Sequence, residues 1–297
     1  MGAFLEKPKT EKITASGEGC GIRYGVSAMQ GWRMEMEDAH VCETNFKLKD
    51  YSFFGVFDGH AGPKVSQYCS VHLLDNILEC LDSGKDKELT DGKVKKAIHD
   101  GFLQLDEKLK KEPQWATGED RSGTTAIVVM VTPKKIIWGN CGDSRGLLCR
   151  NSKVVFSTQD HKPYNQSERT RIEKAGGTVM MQRVNGSLAV SRALGDFDYK
   201  RADNLKATEQ LVSPEPEITV QDREPSSDEF LLLACDGIFD VMSNDEVVAY
   251  VSHHLKLTDD LTKICSDLID TCLNKVPCVC TCVCVHANML LHSAKFK

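Results

Sequence analysis

The chain has 297 residues, 41% of them apolar and 27% charged, with a net charge of −6. That length suits one large or two ordinary domains, and the composition is that of a soluble globular protein. No basic cluster dominates, which excludes a protein built to neutralise a nucleic-acid backbone; no run approaches the ~18 apolar residues of a membrane span, and residues 1–20 lack the apolar core of a secretory signal.

In chain order, Met1-Gly2 comes first. Gly2 is a candidate for myristoylation and weak membrane attachment, although Glu6 stands where the simple motif wants Ser or Thr. The absence of a signal points to the cytoplasm, with the nucleus as a second location. There the thirteen cysteines imply no disulfide framework, and Cys69, Cys149 and Cys235, set in apolar runs, are expected in the core. After the acidic pair Glu37-Asp38, an apolar strand over Tyr51 to Phe57 runs into Asp58-Gly59-His60. A helix from Gly62 to Leu81 follows, its stripe being Val65, Cys69, Leu73, Ile77 and Leu81, and then a second with Val94, Ile98, Phe102, Leu105 and Leu109.

Four strands with short turns come next: Thr124 to Val131, Lys135 to Trp138, Arg145 to Cys149 and Lys153 to Phe156, with Gly142-Asp143 at the second turn. Asn165 caps a helix through Lys174 that Gly176-Gly177 would stop. The polar stretch from Arg201 to Gln221, with Pro214 and Pro216, reads as a surface connection. A strand from Phe230 to Cys235 ends in Asp236-Gly237, and helices are expected over Asn244 to Leu255 and Asp259 to Leu273. Helices inserted between runs of strands give an α+β protein with helices packed on antiparallel sheets.

Two strands ending in Asp-Gly would ordinarily suggest hairpin turns. A hairpin needs a strand returning at once, whereas helical patterns follow both Asp58-Gly59 and Asp236-Gly237. With Asp143 and the Glu37-Asp38 pair, these carboxylates form a set of hard oxygen ligands suited to Mg²⁺ or Mn²⁺. Glycine after the aspartate lets a backbone carbonyl approach an ion.

The segments Gly31 to His40, Phe57 to Gly62, Asp120 to Ala126, Asn140 to Arg145, Val184 to Asp196 and Ala234 to Gly237 resemble, in order, the motifs of the protein phosphatase 2C family of metal-dependent Ser/Thr phosphatases. The opening Met1 to Leu5 is similar to the animal alpha/beta subgroup. The resemblance implies two stacked antiparallel sheets between pairs of helices, an α-β-β-α sandwich, with a two-metal site at one end. By it Asp58 would bridge two ions, Gly59 would lend a carbonyl, Asp236 would bind the second ion, Glu37 and Asp38 would act directly or through water, and Asp143 would hold a looser third. Paired ions ~3.5–4 Å apart lower the pKa of a shared water towards ~7 for in-line attack on phosphorus. Arg33, with Arg183, would bind the phosphorylated substrate, and His60 would protonate the departing alkoxide. The implied partners are phosphorylated proteins, and the chain is expected to be a monomer.

Rival chemistries fail on spacing. No cysteine has an arginine six positions later, as a cysteine phosphatase requires, and there is no Gly-rich Lys-Ser/Thr loop for a nucleotide. The similarity ends near Lys275. Residues 1–22 are thus expected as an N-terminal segment, 23–275 as the catalytic domain, and 276–297 as a disordered cysteine-rich tail that leaves the final strand missing. Where the family supplies an Asp-Asn pair and a last apolar strand, this chain alternates Cys and Val from Cys278 to Val285. Repeated TG dinucleotides encode that alternation, so intron read-through is one origin for it; a zinc site at Cys278, Cys280, Cys282 and Cys284 is the sharper but poorly spaced alternative. Loss of the last aspartate is expected to weaken ion binding and turnover, the extreme being a phosphatase-like protein that only binds phosphoproteins.

Overall fold

The structure, a computed structural model, describes residues 4–44, 46–82, 89–275 and 281–288, with residue 82 and residues 281–288 described by their backbone alone. Gly2, Cys278 and Cys280 lie outside the described residues. Two large antiparallel sheets form the centre. In chain order their strands are β1 (Phe4–Gly19), β2 (Ile22–Arg33), β3 (Ala39–Glu43), β4 (Ser52–Phe57), β5 (Ala126–Val131), β6 (Lys135–Cys141), β7 (Arg145–Arg150), β8 (Lys153–Ser157), β9 (Glu217–Asp222), β10 (Asp228–Ala234) and β11 (Thr281–Asn288). One sheet runs β1-β2-β11-β10-β7-β8 and the other β9-β6-β5-β4-β3.

The sequence of β4 shows why the sheets stack. Phe53 and Phe57 pack with one buried cluster, while Phe54 and Val56 pack with another, so both faces are covered and the strand reads as unbroken apolar residues. The first cluster joins this sheet to helices α1 (Lys64–Asp82) and α2 (Asp91–Lys111) through Val65, Leu73, Ile77, Ile98 and Phe102. The second lies between the sheets, with Val26, Ile127, Trp138, Leu148, Leu231 and Leu233. A third sets Phe230, Leu232 and Leu147 of the other sheet against α4 (Asn244–His254) and α5 (Leu261–Lys275). Between them in sequence, α3 (Gln166–Lys174) belongs to a small side unit with its own core of Ile172, Val184, Val190, Ala193 and Val212. The expected α-β-β-α sandwich is therefore present, and Cys69, Cys149 and Cys235 are buried in it.

Several expectations need correction. The expected final gap in the sheet is filled: β11 pairs antiparallel with β2, Thr281 opposite Met29 through Asn288 opposite Ile22, and with β10, Ala234 opposite Val283. Backbone pairing makes few demands on side chains, and a slot between β2 and β10 presents two rows of N–H and C=O groups that need partners. Val and Thr suit an extended chain. Part of the tail, including Cys282 and Cys284, is thus ordered strand rather than disordered. Residues 1–22 are likewise no separate segment, because β1 pairs along β2 and Lys12 bonds Asp270 of α5 at 2.7 Å. The polar connection contains β9, an edge strand on β6. Asn165 does sit at the N-cap of α3, but its side chain donates to the Asp160 carbonyl instead of capping the helix.

Candidate active site

Strand register collects the predicted residues at one rim. Ala39 opposes Phe57, Ala126 opposes Cys141, Ala234 opposes Arg145 and Thr281 opposes Met29, so the C-terminal ends of β2, β4, β6 and β10 lie together. Arg33 ends β2, Asp58 follows β4, Asp143 follows β6, and Asp236 follows β10 at the first position of a helical turn, Asp236–Phe239. A cavity of about 460 Å³ opens there, lined by Arg33, Asp58, Gly59, His60, Asp143, Arg183, Asp236 and Asp240 among others.

The carboxylates repel one another in a poorly hydrated place. Burial first, and then the charges of Asp38 and Asp143, raise the Asp58 carboxyl well above its ordinary value. Burial and then Asp58 and Asp143 do the same to Asp236. Asp38 is pushed up to about 7 by burial, with Asp236 adding to the rise and a hydrogen bond from Cys235 opposing it. Its Oδ2 is buried and accepts no hydrogen bond from any of the described residues. A buried carboxylate set with a free oxygen is matched chemically to a hard cation. Among the described residues no group of three His, Cys, Asp or Glu side chains is drawn together closely enough to hold an ion as it stands, so these carboxylates line one cavity without closing on a single point.

Glu37 is held differently from the others. Its Oε2 faces Arg33 Nη2 at 3.3 Å and its Oε1 accepts the Gly62 N–H at 2.7 Å, so it braces the arginine and the start of α1. Gly59 is required for a reason the sequence did not show: a Cβ there would collide with the Glu37 carbonyl oxygen. Arg183 lines the cavity from the side unit, on a short hairpin of Val179–Met180 and Arg183–Val184, and donates to the Ser187 carbonyl at 2.7 Å.

His60 is not an ordinary imidazole. Its Nε2 meets Asp196 Oδ2 at 2.7 Å. Although burial lowers its pKa, the Asp196 charge and hydrogen bond, with Asp58 beyond, raise it to about 9. Asp196 is buried and left-handed, φ 52°, a conformation that costs a non-glycine residue about 1–3 kcal/mol and marks a geometry that is enforced. Its turn is fixed by a buried ion pair, Lys200 Nζ to Asp106 at 2.8 and 2.9 Å, with the Gly195 N–H on Asp106 Oδ1 at 2.8 Å. Gly123 lets the pair close, since a Cβ there would strike both His60 Nε2 and Asp196 Oδ2.

Sequence reasoning missed Asp196 and Asp240. Asp240 follows Asp236 by four residues on one helical turn, its N–H bonded to the Asp236 carbonyl at 2.8 Å, so the i, i+4 spacing could have revealed it. Nothing local links Asp196 to His60, 136 positions away.

A helix-flanked double sheet with buried carboxylates at one rim, beside an arginine and a histidine, has the layout of a cation-assisted hydrolase of phosphate esters. Comparison with known proteins narrows this. Residues 22–276 match the family model described as Protein phosphatase 2C. The chain is 56% identical to human Protein phosphatase 1B over 283 residues, which is 93% of this chain and 59% of that protein. It is 55% identical to bovine Protein phosphatase 1A over 278 residues, covering 93% of this chain and 73% of that one. Among solved structures, it resembles a phosphatase from a pathogenic strain of Toxoplasma gondii, with a TM-score of 0.79, 26% identity and coverage of 94% and 96% of the two chains. A C. elegans sex-determining protein aligns with a TM-score of 0.78 at 26% identity, covering 91% of this chain and 65% of that one. The chain belongs to the protein phosphatase 2C family. Among the described residues, no helix is long and apolar enough to cross a membrane.

Proposed function

We propose that the chain hydrolyses phosphoserine and phosphothreonine in proteins with Mg²⁺ or Mn²⁺ held as a pair at the carboxylate rim. The observation that carries this is the convergence of buried, mutually repelling Asp38, Asp58 and Asp236, with a free Asp38 oxygen, beside Arg33 and His60. In this reading Asp58 and Asp236, which line one cavity with Gly59 and Asp143, would hold the ions, with Asp38 and the Gly59 carbonyl assisting and Asp143 a weaker ligand. Such ions supply a low-pKa water and polarise the phosphoryl oxygens.

The chain's own groups do the rest. Arg33, steadied by Glu37, offers a planar fork to the phosphate oxygens and stays charged at any working pH. Arg183 adds a second positive group across the cavity. With Nε2 engaged by Asp196, His60 is left with Nδ1 to carry a proton to the departing serine or threonine oxygen. Hydrolysis of a phosphothreonine peptide titrated with Mn²⁺ tests the assignment. Asp58→Asn should lower kcat/KM by more than about 100-fold at any Mn²⁺ concentration, as expected when a direct ion ligand is lost. Metal-dependent turnover unchanged by that substitution would refute it.

A second reading is favoured by one fact: residues 276–297 contain no Asp or Glu, so β11 brings no carboxylate to the rim. If ions are then held too weakly, the chain binds phosphoproteins without turning them over. Phosphopeptide binding with no hydrolysis at saturating Mn²⁺ would identify that state.

A further inference from the structure

Gly142-Asp143 and His161-Lys162 are locked side by side. The His161 N–H donates to the Gly142 carbonyl at 2.9 Å and the Gly142 N–H to His161 Nδ1 at 3.1 Å. Both the N–H and the hydroxyl of Ser191 then hold the His161 carbonyl, at 3.1 and 2.8 Å. This fixed backbone delivers the Lys162 ammonium to Asp143 Oδ2 at 2.5 Å. Asp143 is buried, whereas the Lys162 side chain is 22% exposed. The ammonium's charge is felt by Asp236 and Asp240 as well, so it sits at the outer side of the carboxylate rim. A second place lies within its reach. Lys162 also lines a polar cavity of about 340 Å³ with Ser157, Gln159, Asp160, Asn165 and Asn244, and with Arg145, which already donates to both Asp160 oxygens at 2.9 Å.

We propose that Lys162 is a tethered cation which occupies the outermost cation position of the site, at Asp143, and competes with a soluble divalent ion for it. When an ion takes that position, the ammonium withdraws into the polar cavity while the backbone stays in place. A lysine suits this role, being a compact charge on a flexible four-carbon stem. The device sets the ion concentration at which the outer position fills, independently of the inner pair. This inference rests on the proposed cation-dependent reading of the rim.

Calorimetric titration of the chelator-treated chain with Mg²⁺ tests it without reference to turnover. In the native chain a tighter class of sites and a weaker one are expected, and Asp58→Asn should lose the tighter class. Lys162→Met should tighten the weaker class by at least about tenfold, the scale set by removing one positive charge at contact distance in a partly hydrated site. Lys162→Arg, which keeps the charge, should leave the weaker class near its native affinity. Lys162→Gln serves as a second neutral variant if the methionine form does not fold. A weaker class unchanged, loosened or missing in the neutral variants overturns the proposal. If Asp58→Asn keeps the tighter class, the reading of the rim itself fails. A tighter class lost as expected beside an unmoved weaker class sinks only the role of Lys162.

Discussion

At the scale of single residues, the chemistry depends on where charge is stranded. Asp196 gives His60 a permanent partner, and its charge raises the imidazole to about 9, so the ring enters neutral solution already protonated. Asp196→Asn removes that charge. The alkaline limb of kcat/KM, which falls as the proton donor is lost, should then move to lower pH, towards the ordinary histidine value of ~6.5. A profile with its alkaline limb unmoved would show that His60 is not the group titrating. The aspartates at strand ends were legible in sequence because an apolar run stopping at Asp-Gly and passing into a helical pattern is unlike a hairpin. Asp196 was not legible: the turn that carries it is shaped by the distant Asp106–Lys200 ion pair, and no periodicity records such a contact.

At the scale of elements, the sequence was most readable where both faces of a strand are buried. β4 and β10 appear as unbroken apolar runs because helices cover one face and the opposite sheet the other. β1, β2, β3 and β9 were all missed, and β2 is an interior strand, buried along most of its length, in which Gly25, Ser27 and Gln30 interrupt the apolar residues. β1 and β9 are sheet edges; β1 turns Lys9, Glu11 and Ile13 to solvent, while β9 does alternate, with Ile218 and Val220 on the core, but is short and lies in a stretch otherwise polar and broken by Pro214 and Pro216. The side unit carrying Arg183 is held by a charge network rather than by a large core. Glu168 accepts from Arg171, Arg192 and Ser191; against the burial that would raise it, these bonds and charges lower its pKa to about 2. A depressed carboxyl stabilises the fold above its unfolded value of ~4.5 and loses that contribution as pH falls towards 2, a total on the order of 3 kcal/mol. Glu168→Gln should therefore speed hydrogen exchange in residues 166–192 at pH 7, with the difference from the native chain shrinking by pH 3. Equal exchange at both pH values would show that the network does not hold the unit.

At the scale of the whole molecule, the main lesson is the closing strand. Resemblance led to the expectation of an incomplete sheet, yet sheet completion depends on backbone donors and acceptors more than on which side chains accompany them. β11 lies between two partners, so each of its N–H groups faces a neighbour. Val283→Pro, which removes one donor from the middle of the sheet, should destabilise the chain by about 3 kcal/mol or more in chemical denaturation. An unchanged midpoint would mean that the strand adds nothing to the fold. The same strand carries no carboxylate, so under the proposed reading any cation would be held by Asp38 before β3 and by the aspartates that follow β4, β6 and β10. Anomalous diffraction at the manganese edge from Mn²⁺-soaked crystals tests that convergence most directly. The account expects peaks between the Asp58 and Asp236 carboxylates; peaks confined to other surfaces, or none at saturating Mn²⁺, would contradict it.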